Sequence, residues 1–362
     1  SQGFMIAGEA EGDVLGVSVS AAGDINNDGL DDFLVGASGN DANGMNAGAA
    51  YLVFGAPGLG PGFDLDDIVN GTGGFRIIGE SPQAGAGLSL SAAGDVNGDG
   101  ISDIIIGANG DPDGEAFAGA AFVVFGSDQP VSEIDLGSVA NGTGGFKITG
   151  AAKFDNIGSS VRGAGDFNGD GFDDLLLGHT DSDSDAAYVI FGSDKPFSTV
   201  DLKAVAIGVG GFKISSSQIG DEAGRYVSAA GDVNNDGFDD LLIGANRDDD
   251  GGNNAGAAYV LFGFDTSSYE RPAGADGIFG PVIPDPGSGG GSGGVIVSAG
   301  FFTVGFAGTG NATALDPFSA GTESVADDAP ESAIPAEGYT VYADTSGGVD
   351  IAAASETIAA AG

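Results

Sequence analysis

Cysteine and tryptophan are absent from this 362-residue chain, histidine occurs once, and Lys and Arg together number only ten. The missing cysteine excludes a disulfide framework, zinc–thiolate sites and a thiol nucleophile. It leaves the compartment open. The ten basic residues face 53 Asp and Glu, for a formal net charge of −43. Such a chain has no basic footprint for nucleic acid or anionic lipid and few cations with which to clamp a phosphorylated substrate. No run approaches the roughly 20 apolar residues of a membrane-spanning helix. The sequence opens at Ser1 without a basic segment and apolar run, so any signal peptide is expected to be gone already or to lie elsewhere. Glycine, at 70 residues, is abundant, yet Gly plus Pro stays just under the roughly 25–30% at which chains read as disordered. The 41% apolar content is enough for a core. So many carboxylates repel one another unless something neutralises them, and a divalent cation is the natural candidate.

One nonapeptide recurs four times: DINNDGLDD at 24–32, DVNGDGISD at 95–103, DFNGDGFDD at 166–174 and DVNNDGFDD at 232–240. The first aspartates are 71, 71 and 66 residues apart, and the short interval comes from five loop residues lost before Tyr188. Four apolar runs accompany each copy in constant order. A Gly-Phe-x-Ile run (3–6, 74–77, 145–148, 211–214) is followed by a small-residue run ending Ala-Gly-Asp. A third run (DFLVGA, DIIIGA, DLLLGH, DLLIGA) follows the acidic loop, and the fourth is AAYLVFG, AAFVVFG, AAYVIFG or AAYVLFG. Short Val-, Ile-, Phe- and Tyr-rich runs bounded by Gly, Asp and Asn are strand signals, and no convincing 3.6-residue periodicity competes with them. Four strands per unit, serially repeated, is what a propeller blade needs. A single such sheet cannot bury both faces, so neighbouring units must stack.

The loops follow D-x-N-x-D-G-x-x-D. Candidate metal ligands are Asp24, Asp95, Asp166 and Asp232 at position 1, and Asn26, Asn97, Asn168 and Asn234 at position 3. Asp28, Asp99, Asp170 and Asp236 stand at position 5, and Asp32, Asp103, Asp174 and Asp240 at position 9. Position 7 (Leu30, Ile101, Phe172, Phe238) would contribute a main-chain carbonyl. This all-oxygen set suits a hard cation with 6–8 ligands, calcium above magnesium, which prefers to keep its waters. About four ions are expected, one per loop. Position 12 (Val35, Ile106, Leu177, Ile243) is apolar and lies in a strand run, so the EF-hand and its bidentate Glu are excluded. Dockerin-like loop–helix pairs stand closer together and lead into helices. The metal-free alternative is an Asx-rich turn, which Asp, Asn and Gly form unaided.

On these residues the chain resembles the FG-GAP repeat family, the units that build the β-propeller of integrin α subunits and many bacterial surface proteins. The "FG" positions read Leu15-Gly16, Ala86-Gly87, Ile157-Gly158 and Ala223-Gly224, so the phenylalanine is missing. The "GAP" positions begin at Gly36, Gly107, Gly178 and Gly244 and lack the proline. The resemblance runs from residue 3 to about 264. It implies an all-β propeller of four-stranded blades, with calcium rigidifying a hairpin at one face and ligands taken by loops of the opposite face. The loop aspartates would then be structural ligands, with no catalytic role. The family typically closes seven blades and four repeats are clear here. A small four-bladed ring, completion by other sequence and an open stack all stay open.

Other residues carry weaker signals. His179 replaces an alanine and reads as a tolerated substitution; Arg76, Lys147 and Lys213 share what reads as an outward strand position. Asp181, Asp183 and Asp185, like Asp248, Asp249 and Asp250, read as solvated surface, and GTGGF at 71–75 and 142–146 as an inter-blade turn. With no Ser/His/Asp constellation, no G-x-S-x-G and no phosphate-binding loop, an enzyme is not expected. A calcium-dependent polysaccharide lyase is the minority alternative.

Three regions are expected. Residues 1–264 form the propeller, in repeats of about 3–55, 74–126, 145–192 and 211–263; 265–294 form a Pro/Gly/Ser linker; 295–362 form a small β module. In that module Val295–Phe306 is a strand candidate, and Tyr339–Ala343 with Val349–Ala353 a hairpin. The functional expectation is a secreted or cell-surface adhesion scaffold whose partner is a protein or glycan. The alternative is the subunit of an extracellular filament, built from copies of the chain joined through 295–362. Neither nucleic acid nor membrane insertion is expected.

Overall fold

A computed structural model describes residues 3–60, 62–112, 117–129, 131–178, 186–195, 199–216, 220–249 and 252–265, and the backbone of 295–298. The structure is nearly all-β, a propeller-like array of mainly antiparallel sheets. Blade 1 contains β1 (Val19–Gly23), β2 (Asp32–Ala37), β3 (Ala49–Val53), the short helix α1 (Leu65–Val69) and β4 (Gly74–Ile78). Blade 2 contains β5 (Ser89–Gly94), β6 (Asp103–Ala108), β7 (Ala120–Val124), α2 (Leu136–Ala140) and β9 (Gly145–Thr149), while the short β8 (Glu133–Asp135) just before α2 adds parallel to β4 at the edge of the blade 1 sheet. Blade 3 contains β10 (Ser160–Gly165), β11 (Asp174–Gly178), β12 (Ala186–Ile190), α3 (Leu202–Val205) and β14 (Gly211–Ser216), while the short β13 (Val200–Asp201) just before α3 adds parallel to β9 at the edge of the blade 2 sheet. Blade 4 contains β15 (Ala223–Gly231), β16 (Asp240–Ala245) and β17 (Ala257–Leu261). A last strand, β18 (Val295–Ser298), pairs antiparallel with β14.

The acidic loop joins the first and second strand of every blade. Just before it the register slips, between Ala21 and Gly23, Ala92 and Gly94, Gly163 and Gly165, and Ala229 and Gly231. Such a bulge bends the strand and turns the loop out of the sheet.

Successive blades pack face to face. Leu34, Leu52, Phe75 and Ile77 of blade 1 meet Ile104, Ile106, Phe122 and Val124 of blade 2. Ile105, Val123, Phe146 and Ile148 then meet Leu175, Leu177, Tyr188 and Ile190 of blade 3. Leu176, Val189, Phe212 and Ile214 meet Leu241, Ile243 and Leu261 of blade 4. Alternating residues of one strand thus enter two different cores, as the period of two requires. The first strands line up in sequence, β1 on β5, β5 on β10 and β10 on β15, and among the described residues β15 shows no comparable packing on β1.

The GAP-position glycines explain how closely the sheets approach. A Cβ on Gly36, Gly107 or Gly178 would run into the carbonyl oxygen of Gly87, Gly158 or Gly224 in the next blade. The FG-position and GAP-position glycines are therefore two halves of one backbone contact.

Several expectations from sequence change. Gly-Phe-x-Ile at 74–77, 145–148 and 211–214 does not open its own repeat. It pairs with the third strand of the preceding unit and so completes that blade. The GTGGF turns accordingly lie inside a blade, between α1 and β4 and between α2 and β9. Three helices form despite the absence of periodicity, because four or five residues are too few to show any. Each is capped instead by an aspartate (Asp64, Asp135, Asp201) that accepts an N–H from the first turn.

The shared basic position is not outward-facing. Lys147 is 3% exposed, ion-pairs with Glu80 and Asp111, and lies over the Phe122 ring. Arg76 pairs with Glu133 and Glu9. Burial pulls the Lys213 ammonium down, while the Asp155 charge pushes it up. Asp248 is buried and accepts the Tyr259 hydroxyl at 2.8 Å, so it is no solvated residue. His179, Asp181, Asp183, Asp185, Asp250, the 266–294 linker and residues 299–362 with their hairpin lie outside the described residues.

The blade contact makes a comparison within one chain possible. Gly107→Ala should lower stability by about 1–3 kcal/mol, the usual cost of forcing extra volume into a packed site. Gly244→Ala, with nothing nearer than 3.4 Å to its Cβ, should be close to neutral. Urea denaturation of both variants checks the difference, and equal losses would refute the glycine assignment.

Candidate functional site

All four acidic loops project from one side of the array, at the turn between first and second strands. Within loop 1, Asp24 Oδ1 accepts the Asp28 N–H and Oδ2 the Gly29 N–H, at 2.9 and 2.8 Å. Asn26 Oδ1 accepts the Asp28 N–H as well, and Asp28 Oδ1 accepts the Leu30 N–H. Loop 2 repeats the pattern with Asp95, Asn97, Asp99 and the Ile101 N–H. Loop 3 does so with Asp166, Asn168, Asp170 and the Phe172 N–H. Loop 4 uses Asp232, Asn234, Asp236 and the Phe238 N–H. Positions 1, 3, 5 and 7 are thus gathered in one tight Asx-type turn. Gly29, Gly100, Gly171 and Gly237 take positive φ inside it, which only glycine does without strain.

Position 9 behaves differently. Asp32, Asp103, Asp174 and Asp240 are buried under the loop. One oxygen of each accepts a glycine N–H at the exit of the third strand: Gly55, Gly126, Gly192 and Gly263. The other oxygen accepts the position-2 N–H of Ile25, Val96 or Val233. In loop 3 the Phe167 N–H bonds the Gly165 carbonyl and only weakly pulls on the buried Asp174 Oδ2, which has no partner at hydrogen-bond geometry.

The electrostatics follow from this burial. Burial pushes the Asp103 carboxyl up to about 7, against the pull of the Gly126 and Val96 N–H groups, and the charges of Asp99 and Asp95 push it further. Asp32 is raised by burial and, in smaller measure, by Asp28 and Asp24, and Asp174 is raised well above the usual range chiefly by burial. Among the described residues, no group of three or more His, Cys, Asp or Glu side chains already stands in a metal-holding arrangement. The donor set nevertheless fits a divalent cation. Each carboxylate oxygen has a second lone pair beyond the N–H it accepts, the carboxylates of one loop repel, and Asp174 Oδ2 is buried without a partner.

Position 8, which the ligand pattern passed over, links the loops to one another. Asp173 Oδ2 accepts the Asp95 N–H at 2.7 Å, and Asp239 Oδ2 accepts the Asp166 N–H at 3.1 Å. Loops 3 and 4 therefore each hold the first residue of the loop before them, while position 8 of loop 2 is Ser102. Asp173 is raised by burial and then, against the pull of the Asp95 N–H, by the charges of Asp239, Asp166 and Asp95, so repulsion runs across loops 2 to 4. Its signal in the sequence was the repeated DD pair at 31–32, 173–174 and 239–240.

The opposite rim holds the loops between second and third strands and between fourth and first strands. There Phe117 and Phe154 stack with ring centroids 5.7 Å apart and planes 13° apart. They are 60% and 47% exposed. Both have positive φ (57° and 69°), a costly backbone for a bulky side chain. The equivalent places in other units are Asn46 and Asn254 for Phe117, and Gly12, Gln83 and Gly220 for Phe154, all with positive φ as well. Backbone geometry explains Asn and Gly there. It does not explain phenylalanine.

The family model for the FG-GAP repeat matches residues 15–53, 86–124 and 224–261. These are FG-GAP repeats. Each match runs from the FG position through the acidic loop to the third strand, and the third unit, outside the matched residues, has the same three strands. Among curated relatives, integrin alpha-5 of Xenopus laevis is 30% identical over 190 residues, 51% of this chain and 16% of that protein. Integrin alpha-V of Gallus gallus is 27% identical over 236 residues, 64% of this chain and 20% of that protein. Phosphatidylinositol-glycan-specific phospholipase D of Rattus norvegicus is 33% identical over 163 residues, 44% of this chain and 18% of that protein. The chain thus spans a fifth or less of the length of these relatives. What it has in common with them is an integrin-type FG-GAP β-propeller segment.

The two kinds of loop aspartate should separate on substitution. Asp103→Ala strands the buried Val96 and Gly126 N–H groups and should cost about 1–3 kcal/mol for each. Asp99→Ala removes exposed turn bonds and, in chelator, should cost less than about 1 kcal/mol. Urea titration in excess chelator measures both. Equal losses would mean that position 9 is not the brace.

Proposed function

We propose that this chain is an extracellular or cell-surface scaffold, a β-propeller-type array stabilised by about four calcium ions, whose activity is binding a protein or glycan ligand. Positions 1, 3, 5, 7 and 9 of the four loops would hold the metal, with Asp32, Asp103, Asp174 and Asp240 as ligands from beneath. A bound Ca²⁺ supplies two positive charges and a rigid oxygen-coordinated centre. The observation that carries this reading is the set of crowded loop carboxylates, with the buried, unbonded Asp174 Oδ2 among them. The integrin alpha relatives supply the adhesive class. The segment in common with the phospholipase D spans only 18% of that protein, which favours a shared repeat module over shared catalysis.

The ligand surface in this reading is the rim opposite the acidic loops, with the Phe117–Phe154 stack at its centre. Flat, exposed and rigid aromatic area is what binding hot spots use.

Two measurements test the proposal. Calcium should raise the melting temperature and chelator lower it, with calorimetric titration giving about four sites in the full chain and about three in Asp28→Ala. A melting temperature indifferent to chelator would defeat the calcium reading. For the rim, Phe117→Asn with Phe154→Gly adopts the residues other units use there, so stability should hold or rise. Binding to a panel of glycans and matrix proteins should fall at least about tenfold, the loss of roughly 1.4 kcal/mol. Undiminished binding by that variant, or silence of the unmodified chain across the panel, would remove the rim assignment.

A further inference from the structure

Successive acidic loops meet at three boundaries, and the main chain is arranged alike at each. The residue leaving the third strand of one unit donates its N–H to the position-2 carbonyl of the loop before. Ser127 donates to Ile25, Ser193 to Val96 and Phe264 to Phe167, at 2.9, 2.9 and 3.0 Å. The glycine just ahead of position 1 takes positive φ, 72° at Gly23, 78° at Gly94 and 70° at Gly165. With no Cβ there, the position-8 side chain of the next loop lies against it: Ser102 on Gly23, Asp173 on Gly94 and Asp239 on Gly165. The frame is common to the three boundaries, and only the side chains it carries differ.

At two boundaries position 8 clamps the main chain of position 1 through both of its polar groups. Asp173 Oδ2 accepts the Asp95 N–H at 2.7 Å, and the Asp173 N–H donates to the Asp95 carbonyl at 3.1 Å. Asp239 does the same to Asp166, at 3.1 and 3.4 Å. Position 7 locks a second point. The Phe172 ring occupies the space that a Cβ on Gly98 would take, and the Phe238 ring does so at Gly169. Between loops 1 and 2 all three residues differ together: position 8 is Ser102, position 7 is Ile101 and position 4 is Asn27. Among the described residues, no hydrogen bond joins Ser102 to Asp24.

Asp24, Asp95 and Asp166 supply the first carboxylate of each turn, already tied to two N–H groups of its own loop. A ligand held in place beforehand loses less freedom on binding. We infer that Asp173 and Asp239 are positioning residues for calcium in the loops before their own, so that loops 2 and 3 bind it tightly. Loop 1, without the clamp, is then the weak site that fills and empties as the calcium concentration changes. The inference rests on the calcium reading of the loops, which the buried Asp174 Oδ2 supports. A position-8 carboxylate also adds negative charge beside the cation, which acts in the same direction. One charge-assisted hydrogen bond corresponds to a difference of about tenfold or more in affinity.

The chain has no tryptophan, so one indole at position 7 reports on a single loop by sensitising bound terbium, a luminescent stand-in for calcium. Position 7 offers only its main-chain carbonyl, so the substitution keeps the ligand set. Full-length Leu30→Trp reads loop 1 and Ile101→Trp reads loop 2, both titrated at about 0.15 M salt to screen repulsion between loops. Loop 2 should half-fill at about tenfold lower terbium than loop 1, and calcium should displace terbium in the same order. Adding Asp173→Ala should raise the loop 2 midpoint about tenfold and leave loop 1 unmoved. Asp173→Asn, which keeps an acceptor, should recover most of that loss. Ser102→Asp supplies the missing clamp and should tighten loop 1. Equal midpoints in the two loops, or an Asp173→Ala effect of the same size in both, would overturn the inference and leave the calcium reading standing. Absence of both ions from either loop would remove both readings. Hydrogen exchange in chelator tests the clamp without metal: the Asp95 amide should exchange more slowly than that of Asp24, and Asp173→Ala should abolish the difference. An Asp95 amide as open as that of Asp24 would show that no clamp exists.

Discussion

Every blade of this protein is a sheet that is apolar on both faces, and one such sheet cannot keep both faces from water. The rest of the architecture answers that constraint. Alternating residues of β6 enter two cores, Ile104 and Ile106 on one side and Ile105 on the other, so blade 2 is incomplete without both neighbours. The sheets come close enough for the backbone of one to touch that of the next, which excludes a side chain at Gly36, Gly107 and Gly178.

The acidic side of the array is organised by the same stacking. Because first strands line up blade to blade, the loops they carry also line up, and Asp173 and Asp239 reach back to the preceding loop. Burial is the main cause of the raised Asp103, Asp173 and Asp174, and neighbouring loop carboxylates push each of them further, those of adjacent loops in the case of Asp173. Four calcium ions in the proposed sites would bring the net charge from −43 only to about −35, two charges per ion. The metal accounts for where the carboxylates gather; the remaining excess belongs to the surface.

Much of this was legible in the residue order. The nonapeptide, the strand runs and the glycine pairs all recur at fixed spacing, and the loop oxygens gather as the spacing implied. Three features were not. A cyclic series has no marked beginning, so whether Gly-Phe-x-Ile opens a blade or completes the one before cannot be read from order alone. Lys147 in an apolar-flanked strand looked outward because its partners, Glu80 and Asp111, come from other strands and loops. The αL phenylalanines at 117 and 154 carry no local mark, since positive φ is a property of the loop that the side chain only tolerates.

The absences in the composition retain their meaning in the structure. Without cysteine or a basic patch, the chain relies on apolar stacking, main-chain hydrogen bonds and carboxylate braces, and those were determined by local sequence: which runs become strands, where each turns, which oxygens face the turn. Tertiary structure decided the phase of the blades, the burial of position 9 and the links through position 8. Those depend on which sheet lies beside which. That neighbour is set by packing between whole blades, as Leu34 meets Ile104 and Ile105 meets Leu175, and no local spacing records it.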